Sequence, residues 1–158
     1  DFKILRAVMD INLEQKTKLI PRIKDYFSGD LSGKVFAVWG LAFKPYTDDI
    51  REAPALYNIQ QLLEAGATVR AYDPEAMDNV KKIHGNTLYF AIDEYDALKE
   101  ADALIIATEW PVFRTPDFEK MGELMGNKVI FDGRNLFSIT EMKEKGFVYY
   151  SIGREIVK

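Results

Sequence analysis

Five ionisable side chains, Lys44, Asp48, Asp49, Arg51 and Glu52, crowd into one stretch, GLAFKPYTDDIREAP (Gly40–Pro54). Their chemistry is anion recognition rather than covalent catalysis. Lys44 offers a mobile point charge with three donors. Arg51 offers a planar fork that matches two oxygens of a phosphate. A further arginine, Arg134, stands in DGRNLF directly after Gly133, whose missing side chain lets a ligand approach the backbone. Phe43, just before Lys44, suits stacking on a base or simple packing. Plainer readings stand beside these: Asp48 and Asp49 holding Arg51 or capping the next helix, and Arg134 paired with Asp132.

Other chemistries find little support. With no cysteine there is no thiolate nucleophile, no disulfide and no Cys-ligated zinc. The single histidine, His84, precedes Gly85 in a polar turn and reads as a solvated surface residue. No Ser/His/Asp set stands out, so a reaction centre is not expected in this chain. A formal net charge of −4 argues against a nucleic-acid surface, which needs a broad basic face. A few local Lys and Arg can still focus a positive field on a small anion. There is no signal peptide pattern and no apolar run of bilayer length, so no membrane partner is expected and the expected location is cytoplasmic.

Positioning these groups falls to an alternating chain. At 158 residues it is long enough for one domain with a sizeable core. The opening DFKILRAVMDINLEQKTKLIPRIKDYF has helical apolar spacing at Ile4, Leu5, Val8, Ile11, Leu19, Ile23 and Phe27, with Pro21 marking a kink or a second helix start. Strands are expected at 34–40, 67–73, 87–90, 102–108, 128–132 and 147–151. Helices are expected at 54–65, 75–83, 94–99, 117–125 and 139–145. The continuous apolar runs VFAVW, ALIIAT and KVIF suit strands covered on both faces. The pattern predicts an α/β fold: a Rossmann-like, doubly wound parallel six-stranded sheet, preceded by a long helix.

With the strand order 3-2-1-4-5-6, the loops after strands one, four and five share one cleft at the carboxyl edge, where such sheets bind ligands. Those loops are GLAFKPYTDDIREA, TEWPVFRTP and DGRNLF. The first runs about 13 residues, against roughly 2–6 for an ordinary βα connection. Trp110 and Phe113 could wall the cleft, with packing the safer expectation. Asp73 ends strand two, where dinucleotide folds hold a ribose hydroxyl. However, G-L-A-F-K-P is not G-x-G-x-x-G, so an NAD site within this domain is not expected. The residues alone point to a binding domain for a phosphate-bearing ligand.

The stretch GLAFKPYTDDIREAPA, with ATEWPVF and FDGRNLF, resembles the C-terminal domain of the UDP-glucose/GDP-mannose dehydrogenase family. The DGRN segment is more similar to the UDP-glucose members than to those acting on GDP-mannose or UDP-N-acetylmannosamine. The opening helix, with Asn12 and Gln15 in INLEQ, is similar to the end of the family's central helix. The resemblance covers essentially the whole chain. It implies that residues 1–27 belong to a linker and dimerisation helix, that residues 34–158 bind the UDP-sugar, and that the protein is a homodimer. Matched by position, it implies that Phe43, Lys44 and Arg134 meet UDP-glucose or UDP. Arg51 would reach NAD held mainly by an N-terminal domain.

The implied reaction is NAD-dependent oxidation of UDP-glucose to UDP-glucuronate through a cysteine. Neither the cysteine nor the NAD domain is in this sequence, so the chain alone is expected to be inactive. Asp1 is not a methionine and the helical pattern is already running at Phe2, so a longer polypeptide is expected. The alternatives are a sibling nucleotide-sugar dehydrogenase domain and a non-catalytic dimerisation module.

Overall fold

A computed structural model of the chain describes residues 2–158. The helical opening is two helices, α1 (Lys3–Lys16) and α2 (Leu19–Tyr26). The break falls at Thr17, four residues before Pro21, because the proline ring would clash with the carbonyl of residue 17 in a continuous helix. Pro21 itself lies in the first turn of α2, where its missing N–H leaves nothing unpaired. The two helices differ in packing. Leu19, Ile20 and Ile23 of α2 are buried in the core, whereas no residue of α1 is buried.

Six parallel strands follow: β1 (Val35–Trp39), β2 (Thr68–Tyr72), β3 (Tyr89–Phe90), β4 (Ala103–Ile106), β5 (Val129–Asp132) and β6 (Val148–Ser151). Their order is β3-β2-β1-β4-β5-β6, the usual one for such sheets, so the loops after β1, β4 and β5 do share one edge. The helices between them are α3 (Pro54–Glu64), α4 (Met77–His84), α5 (Glu94–Leu98), α6 (Phe118–Leu124) and α7 (Ile139–Lys145), with a 3-10 turn at Pro111–Phe113. Every residue of β4 and β5 is buried, as the unbroken apolar runs required. The largest buried side chains, Trp39, Tyr149, Phe36, Phe113 and Phe131, fill the core around them. Trp110 and Phe113 belong to this core: Phe113 stacks on Trp39 at 5.0 Å, and Trp110 is 5% exposed.

Helix starts follow local chemistry. Pro54 opens α3 with Ala53 held extended before it. Asp93, Asp117 and Ser138 cap α5, α6 and α7 by accepting from the first backbone N–H groups. Strands come out shorter than predicted because their flanking polar residues have other partners. Thr87 turns both its N–H and its hydroxyl to the His84 carbonyl, closing α4 rather than extending β3. The Asp102 carboxylate accepts from Val35 N–H, and the Thr108 hydroxyl donates to the Ala42 carbonyl.

Candidate functional site

The carboxyl ends of β4 and β5 form the floor of a cavity of about 300 Å³. Ile106, Ala107 and Gly133 supply this floor, and Phe43 and Arg134 stand at its sides. The last turns of α1 contribute Asn12, Gln15 and Lys16, and α3 contributes Asn58. Gly133 leaves room there that a side chain would crowd. A Cβ at this position would lie 3.1 Å from the Ile106 carbonyl oxygen and 3.3 Å from Leu19 Cδ1. Of the four residues singled out for ligands, Phe43 and Arg134 therefore line one cavity. Lys44 is exposed beside Phe43 and outside that lining. Arg51 lines a different, open recess with Asp49, Asn79 and Lys82.

Two buried carboxylates hold the loops that carry these residues. Asp73 is 1% exposed and accepts from Leu41 N, Ala42 N and Trp110 Nε1 through Oδ2. Its Oδ1 accepts from Glu75 N and Ala76 N. The acidic residue that could have held a ribose hydroxyl is thus spent on fixing the start of the long loop. Asp132, fully buried, does the same for the DGRN loop: it accepts from Arg134 N, Leu136 N, Phe137 N and the Tyr149 hydroxyl. Burial, and then the Asp132 charge, push the Tyr149 phenol well above its ordinary range, so it stays a donor. Gly40 makes the turn after β1 at φ +92°, where a Cβ would sit 2.4 Å from Thr108 Cβ.

The charged groups are paired within the site's walls. Arg134 makes a two-pronged ion pair with Glu109, Nε to Oε2 at 2.5 Å and Nη2 to Oε1 at 2.7 Å. The Asp132 alternative fails for its side chain, since Asp132 takes only its backbone N–H. Burial, the largest single influence, raises the affinity of Glu109 for a proton, but the Arg134 hydrogen bonds, a backbone hydrogen bond and the charges of Arg134 and Arg114 together outweigh it and leave the carboxyl below its usual range. Arg51 folds back on Asp49 at 2.9 and 2.7 Å, the self-paired arrangement foreseen as the plainer reading, and holds Asp49 down at about 2. Asp48 accepts from Asn79 Nδ2 at 3.0 Å, tying the loop to α4.

Four participants were not singled out from the sequence: Lys16, Tyr57, Asn58 and Glu109. Lys16 bonds Glu52 and lies over the Tyr57 ring, whose hydroxyl also donates to Glu52. Asn58 Nδ2 donates to the Lys16 and Pro54 carbonyls, leaving its Oδ1 unpaired and buried. These contacts staple the end of α1 to α3 and to the end of the long loop. Asn58 was detectable as a polar residue on the apolar stripe Ala55–Ile59–Leu62. Glu109 lies in the TEWPVFRTP loop expected at the cleft, but nothing in that segment marks it as the partner of Arg134.

Residues 37–139 match the UDP binding domain of the UDP-glucose/GDP-mannose dehydrogenase family. The chain belongs to that family. It is 43% identical over 159 residues to a UDP-glucose 6-dehydrogenase of Pseudomonas aeruginosa, covering 98% of this chain and 35% of that one. It is 40% identical over 157 residues to UDP-glucose 6-dehydrogenase TuaD of Bacillus subtilis, covering 99% and 34%. The chain thus spans about a third of the length of these curated relatives.

Among solved structures, a UDP-glucose dehydrogenase of Pyrobaculum islandicum superposes with a TM-score of 0.75 at 32% identity, over 86% of this chain and 30% of that one. A UDP-D-ManNAc dehydrogenase of Pyrococcus horikoshii gives 0.75 at 29%, over 98% and 34%. No helix among the described residues is long and apolar enough to cross a membrane.

Proposed function

We propose that this chain is the UDP-sugar-binding part of an NAD-dependent UDP-glucose 6-dehydrogenase located in the cytoplasm. The observation that carries the reading is the convergence of Phe43, Gly133 and Arg134 on one cavity at the carboxyl edge of the sheet, within the segment that matches a UDP binding domain. The half-exposed Phe43 ring offers a stacking face, and Arg134 offers donors to ligand oxygens. Lys44, exposed beside Phe43, is assigned to the diphosphate. At about 300 Å³ the cavity sits at the lower end of the roughly 300–1,000 Å³ of ligand sites. It holds part of a nucleotide sugar and leaves the reacting carbon to groups elsewhere.

The catalytic role of this chain is then positional. Binding energy gained at the nucleotide orients the sugar and is expressed at a carbon outside this domain. The cysteine and the hydride acceptor belong to the longer enzyme. An NAD site of the Rossmann kind does not fit these residues, because Asp73 is saturated by five donors and Gly40 is followed by no glycine-rich turn. Arg51, 87% exposed at its side chain, is assigned to a dinucleotide carried by the rest of the enzyme. The apolar stripe Ile4–Val8–Ile11 of α1, all exposed, is assigned to a homodimer contact.

Competition binding tests the reading: UDP displaces a fluorescent UDP analogue from the chain, GDP does so far less well, and Lys44→Ala weakens UDP. Equal displacement by GDP would favour a sibling activity. No binding of either, with the fold intact, would leave only a dimerisation module.

A further inference from the structure

The Glu109–Arg134 pair does more than neutralise a surface charge. The register of the sheet sets Ile106 opposite Asp132. Glu109 lies three residues beyond the first and Arg134 two beyond the second, so the two side chains emerge abreast from neighbouring strand ends. Arg134 lines the cavity, whereas Glu109 does not. Their contact is side-on: the carboxylate takes Nε–H and one hydrogen of Nη2. A guanidinium has five N–H groups in a rigid plane. Both hydrogens of Nη1 and the outer one of Nη2 therefore remain, forming an end-on fork with no partner among the described residues.

Two consequences follow. Holding one edge of a rigid planar group fixes the direction of the other edge, so Glu109 aims the free fork. The carboxylate also cancels most of the charge that Arg134 would present, in a site where both side chains are more than half covered. A guanidinium neutralised in this way is a strong directional hydrogen-bond donor but a weak attractor of phosphate. Lys44, exposed and with no ion pair among the described residues, is left as the group that answers the diphosphate charge.

We infer that Glu109 is a positioning and specificity residue, which aims and neutralises Arg134 so that it reads hydroxyl oxygens of the sugar in preference to the phosphates. This rests on the nucleotide-sugar reading above.

The test compares UDP with UDP-glucose, by calorimetry on the wild-type, Glu109→Gln and Glu109→Asp chains, at two salt concentrations. Glu109→Gln is nearly isosteric, and thermal melting checks that each variant is folded. In Glu109→Gln, UDP-glucose is expected to bind about tenfold more weakly, the scale of losing an oriented charge-assisted hydrogen bond. UDP is expected to bind as tightly as before or a few-fold tighter, with a steeper salt dependence, because Arg134 now shows its charge. Glu109→Asp keeps the charge and should restore the shallow salt dependence. A purely structural role would not alter the ratio of the two affinities or the salt slope.

The inference is overturned if Glu109→Gln weakens both ligands equally or changes neither. It is also overturned if both tighten equally, which would make Glu109 a competitor that the ligand displaces. Wild-type chain that binds neither ligand defeats the nucleotide reading itself and this inference with it. Wild-type binding that responds to Lys44→Ala but keeps its ratio in Glu109→Gln defeats the inference alone.

Discussion

Replacing Asp73 with asparagine should cost the fold more than its place just beyond the end of β2 suggests. The carboxylate has five hydrogen-bond donors and, among the described residues, no cationic partner: three on Oδ2 at 2.7–3.0 Å and two on Oδ1 at 2.8–2.9 Å. An asparagine can keep its carbonyl where three donors meet. Its amide nitrogen must then face the N–H groups of Glu75 and Ala76, two donors against a donor. The orphaned Ala76 N–H, on a buried residue, costs about 1–3 kcal/mol, the N–H of the exposed Glu75 costs less, and the three retained bonds lose their charge assistance. Relief from burying an uncompensated charge offsets part of this, leaving a net loss of about 3 kcal/mol.

Against a total stability of roughly 5–15 kcal/mol this is a large fraction. For a chain of this size it corresponds to a melting point lower by about 6–12 °C. Urea denaturation followed by circular dichroism measures it, with the midpoint falling and the slope unchanged. Because Leu41 and Ala42 lead directly into Phe43 and Lys44, UDP affinity should fall as well. A loss below about 1 kcal/mol would show that the donors find water or other acceptors, and would refute the claim that Asp73 fixes the loop.

Gly40→Ala should destabilise the chain by more than about 2 kcal/mol, since it combines a positive φ with a contact of 2.4 Å to Thr108 that only backbone movement can relieve; chemical denaturation decides it. Acid stability should depend on Asp96, whose carboxyl the Lys99 hydrogen bond chiefly holds down at about 2, with Tyr89 and Ile92 N–H assisting. Its folded value lies below its unfolded one, so its contribution is complete above about pH 4 and lost as pH falls toward 2. Asp96→Asn should flatten that limb of a stability-against-pH curve. Placing glutamate at both Val8 and Ile11 should convert a dimer to a monomer in sedimentation velocity; a monomeric wild type would remove the role assigned to α1.

The parallel direction of the strands was legible because VFAVW, ALIIAT and KVIF suit strands covered on both faces and the helices between them are the crossovers such strands require, whereas their order was the usual one for such sheets and not something the runs specify. The strand ends were not legible. Asp73, Asp102, Thr108 and Asp132 look in sequence like the polar edges of strands, yet each side chain reaches across to tie a neighbouring loop or strand, a use that local pattern does not encode. The same holds at the cavity. Phe43 and Arg134 could be picked out from their own motifs. Glu109 could not, because its partner lies 25 residues away and the pairing exists only through the β4–β5 register. The staple of Lys16, Glu52 and Tyr57 likewise depends on α1 ending against α3, which nothing within either helix specifies.

The central claim is that Arg134, at this cavity, recognises a uridine diphosphate sugar while Arg51 serves something else. Calorimetric titration of the wild-type, Arg134→Ala and Arg51→Ala chains with UDP-glucose tests it most directly. The account predicts saturable one-to-one binding to the wild type, affinity reduced about tenfold or more in Arg134→Ala, and affinity essentially unchanged in Arg51→Ala. Absence of binding at millimolar UDP-glucose by a folded wild-type chain, or equal losses in the two variants, would contradict it.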